Sequence, residues 1–160
     1  MRLLIAAAGR LKSGPELELV ADYRKRAAGV GKPLGFSQLD IVEIEAPKGL
    51  KGPSLKNKEA QLLLAAAPDG AKRIALHEKG KSLASAALAE TLAAWRDDGA
   101  PAAAFFIGGA DGHGQDVLDK ADLRLALGPA TWPHMLVRVM LTEQIYRATT
   151  ILAGHPYHRV

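Results

Sequence analysis

The chain has 160 residues, with 21 Lys+Arg, 17 Asp+Glu, a formal net charge of +4, 48% apolar residues and no cysteine. That length fits one compact domain over residues 1–160, and the missing cysteine excludes disulfides, cysteine-ligated zinc, iron–sulfur clusters and a cysteine nucleophile. The composition is neither disordered nor fibrous, no uncharged stretch is long enough to span a bilayer, and Met1-Arg2-Leu3-Leu4-Ile5 reads as a strand rather than a secretion signal. A cytoplasmic protein is expected. Residues 1–80 hold 14 Lys+Arg against 9 Asp+Glu, whereas residues 81–160 hold 7 against 8. The basic surplus of the first half suggests a polyanionic partner.

Short apolar runs alternate with helical patterns along the chain. Leu3 to Ala7 reads as a buried strand. Pro15 to Ala28 reads as a helix, with Pro15 in its first turn and Gly29 past its end. Leu39 to Glu45 alternates apolar and acidic residues, the pattern of a half-exposed edge strand. Ala46 to Lys58 reads as a loop carrying Lys48, Lys51, Lys56 and Lys58 and no acid. A helix from about Leu55 to Ala67 and a strand from Arg73 to His77 follow. Ser82 can cap a helix reaching Asp98, with Gly99 beyond it. The strand Ala102–Ile107, the short helix Gln115–Lys120, the strand Leu123–Leu127 and a long helix Pro133–Ala153 complete the chain. This alternation implies an α/β fold, a mainly parallel sheet with helices on both faces.

Five segments could carry chemistry. Ala75-Leu76-His77-Glu78-Lys79-Gly80-Lys81-Ser82 approximates a phosphate-binding loop ending Gly-Lys-Ser, but its first glycine is replaced by Ala75. It reads as the phosphate site of a nucleotide or small-molecule kinase, or as a plain strand–turn–helix junction. Ile107 to Gly114 holds four glycines in its last seven residues, after an apolar strand, letting backbone approach a ligand beyond the carboxyl end of a parallel strand. Gly128-Pro129-Ala130-Thr131-Trp132-Pro133-His134 is a stiff uncharged loop offering backbone donors and acceptors. In the last helix, Met135, Leu136, Val137, Val139, Met140 and Leu141 surround a single Arg138, an almost wholly apolar circumference that implies burial on two sides and hence a homodimer. The tail, Gly154 to Val160, packs two histidines, a tyrosine and an arginine into five residues that can titrate, stack and bind phosphate.

Taken together, Phe106-Ile107-Gly108-Gly109, Pro133-His134-Met135-Leu136-Val137-Arg138-Val139, Glu143-Gln144-Ile145-Tyr146-Arg147-Ala148 and His155-Pro156-Tyr157-His158-Arg159 resemble the ribosomal large-subunit pseudouridine N3-methyltransferases of the SPOUT class. The resemblance spans essentially the whole chain. It implies an α/β fold with a C-terminal trefoil knot, a homodimer, and S-adenosylmethionine bound at Leu76, Gly109 and the loop Gly128, Pro129, Ala130, Thr131, Trp132, Pro133. It implies a pseudouridine of large-subunit rRNA as substrate, methylated on the assembled ribosome; neither membrane nor DNA is expected as partner, and nothing in the chain suggests a metal. Against this family, Asp111 stands where a longer carboxylate is common and Met135 where proline is common. His158 is expected to meet the target base, with Tyr157 stacking and Arg159 or Arg138 holding phosphate or a developing uracilate. Without cysteine there is no covalent cysteine adduct, so direct in-line methyl transfer remains. Lys48, Lys51, Lys56 and Lys58 are the candidate RNA contacts. The rivals are the kinase and a non-catalytic ribosome-associated factor.

Overall fold

The structure is a computed structural model and describes residues 1–159; Val160, the last residue of the tail, lies outside the described residues. Among them the strands are β1 (Arg2–Ala8), β2 (Leu39–Ile44), β3 (Lys72–Ser82), β4 (Ala102–Ile107) and β5 (Leu123–Ala126). The helices are α1 (Pro15–Gly31), α2 (Gly52–Ala66), α3 (Ser85–Asp97), α4 (Gln115–Lys120) and α5 (His134–Leu152). The strands form one sheet in the order β2-β1-β4-β3-β5, and every pair is parallel.

The central strands are apolar on both sides because both faces are covered. Successive side chains of a strand point to opposite faces. Thus Leu3, Ile5, Phe105 and Ile107 join Leu88 and Leu92 of α3 and Leu141 and Ile145 of α5 in one core. Leu4, Ala6 and Phe106 join Leu63 of α2 and Val117 of α4 in the other. The half-polar β2 takes the sheet edge its alternation predicts.

Several boundaries differ from expectation, each for a local reason. Helix α1 runs through Gly29 to Gly31, because Gly31 packs against Phe36 and Thr149. Helix α2 begins at Gly52, with Pro53 in its first turn, so Lys56 and Lys58 ride on a helix rather than in a loop. Strand β3 does not stop at His77. Leu76 and Lys81 both stand opposite Leu125, so the intervening residues bulge while Lys81 and Ser82 stay paired to β5. A Cβ on Gly80 would sit 2.6 Å from the Arg124 carbonyl carbon, so this glycine serves strand packing. Ser82 caps no helix; the residue before α3 is Ala84, and no side chain caps it.

Candidate active site

At the carboxyl ends of β4 and β5, against the bulge of β3, lies a cleft of about 610 Å³, within the usual range for small-ligand sites. Its walls come from three chain segments, residues 76–78, 107–115 and 127–134, with Pro53, Lys56 and Asn57 of α2 on the rim. Leu76, Gly109, Gly128, Ala130, Thr131 and Trp132 line it, whereas Pro129 and Pro133 belong to the same loop without lining it. The sheet order brings these segments together, since β3 lies between β4 and β5.

Each wall has a local cause. Gly108 packs so closely on Gly112 that a Cβ would stand 2.9 Å from the Gly112 carbonyl carbon. The turn is closed by the Gly112 amide donating to the Gly109 carbonyl at 3.0 Å. Gly128 has φ 86°, a left-handed value that favours glycine. Trp132 folds over its own loop, donating from Nε1 to the Leu127 carbonyl at 2.9 Å. The cleft therefore offers apolar side chains at Leu76, Ile107, Leu125, Leu127 and Val137 beside exposed backbone at its glycines.

Two titratable groups in this region give little sign of themselves in the sequence. His113 is 6% exposed, and its Nε2 lies 3.1 Å from the Phe106 carbonyl. A carbonyl can only accept, so Nε2 carries the proton. Burial lowers the ring's pKa to about 4, keeping it neutral. Its Nδ1 is buried with no hydrogen-bond partner. On α2, burial and then the charge of Asp111 raise the pKa of Glu59, with the nearby Gly109 amide acting in the opposite sense. The only hint of Glu59 in the sequence is that it is the first acid after the lysine-rich stretch.

Arg138 is not presented to a ligand. Its side chain is 4% exposed and its Nη1 lies 2.6 Å from Oε2 of Glu43. Nη2 donates to the carbonyls of Ala8 at 3.0 Å and Gly9 at 2.7 Å. The same Glu43 oxygen accepts the Leu11 amide at 2.6 Å. The helix thus turns Arg138 inward and leaves Met135 and Leu136 exposed, the reverse of the simplest reading of its apolar first turns.

The tail folds back along α5, after Gly154 (φ 64°) ends the helix. The His155 amide donates to the Thr150 carbonyl at 2.9 Å. The Tyr157 ring stands 4.6 Å from Tyr146, under the Arg147 guanidinium at 4.8 Å. Its hydroxyl donates to Glu143 at 3.0 Å. Burial, then hydrogen bonds with Tyr23 and Glu143, push the phenol well above its usual pKa, so it stays protonated. His158 Nδ1 is 3.5 Å from Arg147 Nη1, and Arg159 is exposed. None of Tyr157, His158 and Arg159 lines the cleft of the same chain. Lys48 and Lys51 are exposed in the loop before α2; Lys58 is half-buried, and Lys56 lies on the cleft rim.

The kinase reading fails on this geometry. Lys81 and Ser82 are held in the sheet against β5, leaving no glycine-rich turn to wrap a phosphate. Among the described residues, no three His, Cys, Asp or Glu side chains converge to hold a metal, and no helix is long and apolar enough to cross a membrane.

A parallel sheet with a glycine-walled cleft at its strand ends is the arrangement in which α/β domains hold small ligands. The chain belongs to the SPOUT methyltransferase family: the model described as "Predicted SPOUT methyltransferase" matches residues 1–158. It is similar to proteins named "Ribosomal RNA large subunit methyltransferase H". The relative from Rhodopseudomonas palustris is 52% identical over 159 residues, 99% of each chain. Those from Nitrobacter winogradskyi and Rhodospirillum centenum are 53% and 55% identical over the same share of each chain.

Proposed function

We propose that this protein methylates N3 of a pseudouridine in large-subunit ribosomal RNA, using S-adenosylmethionine, as a cytoplasmic homodimer acting on the assembled ribosome. The observation that carries the reading is the backbone-lined cleft at the strand ends, in a chain more than half identical over its length to relatives bearing that name. The C-terminal trefoil knot belongs to the same proposal.

The residues present suit the cofactor. Apolar walls at Leu76 and Val137 accept a flat ring, and open backbone at Gly109 and Gly128–Thr131 accepts its polar edges. When bound, S-adenosylmethionine supplies a methyl group already activated on a sulfonium. The protein's work is alignment, which brings the acceptor nitrogen into line with that methyl, and removal of the N3 proton. His158 is assigned to meet the base, with Tyr157 stacking and Arg159 holding phosphate. Because these residues lie outside their own chain's cleft, each tail is assigned to the cleft of the other subunit. The exposed Met135 and Leu136 of α5 and Leu17 and Leu19 of α1 supply apolar surface for that pairing. Arg138, buried against Glu43, is assigned to hold the strand ends rather than RNA.

The test is to incubate the protein with methyl-labelled S-adenosylmethionine and ribosomes lacking the modification, then map the label. Label at N3 of one large-subunit pseudouridine is expected. Ribosome binding without transferred label would favour the non-catalytic ribosome-associated factor instead.

A further inference from the structure

One acid beneath the cleft takes no part in the proposed chemistry. Glu59 sits half-buried on α2 and does not itself line the cavity. It nevertheless presses on a residue that does. A Cβ built on Gly109 would stand 2.9 Å from Glu59 Oε2 and 3.1 Å from Oε1, so the carboxylate rests directly against that backbone. Five residues on, a Cβ on Gly114 would meet the Lys56 carbonyl oxygen at 2.8 Å and the Ala60 Cβ at 3.0 Å. Helix α2 therefore touches the glycine segment at both ends: through its backbone at Gly114, too close there for any larger residue, and through the Glu59 side chain at Gly109.

Between those grips the segment is stiff. Gly109 and Gly112 pair as an isolated antiparallel bridge, and Gly108 packs on Gly112. A displacement of Gly109 would carry the whole turn with it. The carboxylate also faces the Gly109 amide and lies close enough to Asp111 for their charges to interact. Asp111 on the wall, with Glu59 behind it, suits a cofactor that carries positive charge.

We infer that Glu59 is a positioning residue of the cofactor site, setting the Gly108–Gly112 turn against the bound cofactor through the Gly109 backbone. The inference rests on the methyltransferase reading. Its action is on cofactor binding, not on the transfer step. Gln at this position keeps the side chain against the Gly109 backbone and removes only the charge; Ala removes both.

The experiment measures S-adenosylmethionine binding by calorimetry, together with KM and kcat on ribosomes and a thermal melt, for wild type, Glu59→Ala and Glu59→Gln. Glu59→Ala is expected to raise Kd and the cofactor KM by about tenfold or more, with kcat at saturating cofactor within about twofold. Glu59→Gln should recover most of that affinity. If Glu59→Ala does not fold, Glu59→Asp, which withdraws the carboxylate by one methylene, carries the same expectation for Kd and KM. Wild-type affinity in the Ala variant, or a fall in kcat with KM unchanged, would overturn the role. Failure of the wild type to bind S-adenosylmethionine would instead overturn the methyltransferase reading itself.

Discussion

Arg138 ties together stretches that are far apart in sequence: α5, the end of β1 at Ala8 and Gly9, and Glu43 on β2. Removing one partner of a buried pair leaves the other charge without compensation. Glu43 keeps 31% side-chain exposure, so water can reach the abandoned carboxylate. The cost of Arg138→Ala should therefore fall at the low end for buried pairs, about 3 kcal/mol. That corresponds to a Tm drop of roughly 6–12 °C for a chain of this size. An unchanged melting curve would show that the clasp contributes nothing. His113 makes a pH-dependent contribution. Its folded pKa of about 4 lies below its unfolded value, so the unfolded chain binds more protons between pH 6.5 and 4. Stability is thus fully present above pH 6.5 and declines as pH falls towards 4. Urea unfolding at pH 7 and pH 5 should differ by on the order of 2 kcal/mol from this residue. His113→Leu should remove that part of the difference; an equal pH dependence in the variant would contradict the assignment.

At the scale of elements, legibility in the sequence follows how local the cause is. Strand β4 and helix α4 have the predicted bounds, because an unbroken apolar run and a short periodic segment need no distant partner to define them. Strand β3 outruns its predicted end because its second half is polar; only its pairing to β5, some 45 residues on, holds Lys81 and Ser82 extended. The glycine segment points to a ligand site through its composition, whereas the loop Gly128–Pro133 reads alone as a stiff connector and gains a cofactor role only through the family resemblance. Glu59 and the Arg138–Glu43 clasp give no such sign, since each acts on a residue about 50 to 95 positions away. The tail is legible as a cluster, yet its docking on Tyr146, Arg147 and Glu143 depends on how Gly154 turns the chain. For this element the expected outcome is that His158→Ala lowers methyl transfer by on the order of 10²-fold or more while leaving S-adenosylmethionine binding intact. Turnover on ribosomes alongside calorimetry checks it, and equal turnover would remove His158 from the mechanism.

Across the whole molecule the charge has an address. Lys48 and Lys51 stand exposed in the loop before α2, Lys58 stands on that helix, and Lys56 lies where the helix meets the cleft. RNA held at Lys56 would lie beside the cleft. Replacing all four with glutamine should weaken ribosome binding, and it should flatten the dependence of log K on log salt by roughly 0.7–0.9 for each phosphate no longer neutralised. A slope identical to that of the wild type would place the RNA elsewhere.

The sheet order also sets a timetable. Strand β1 has β2 on one side and β4 on the other, with Leu3 opposite both Leu39 and Ala103. At a synthesis rate of about 5–20 residues per second, β1 waits roughly 5–20 s for its second neighbour to be made. Both edges of this apolar strand are open until β2 emerges, and one stays unpaired until β4 does, the condition that invites association with other chains. A nascent chain of this protein should therefore depend on chaperone cover until β4 has emerged, and refolding from denaturant should be slow and concentration-sensitive, as expected when the central pairing of a sheet is also its least local.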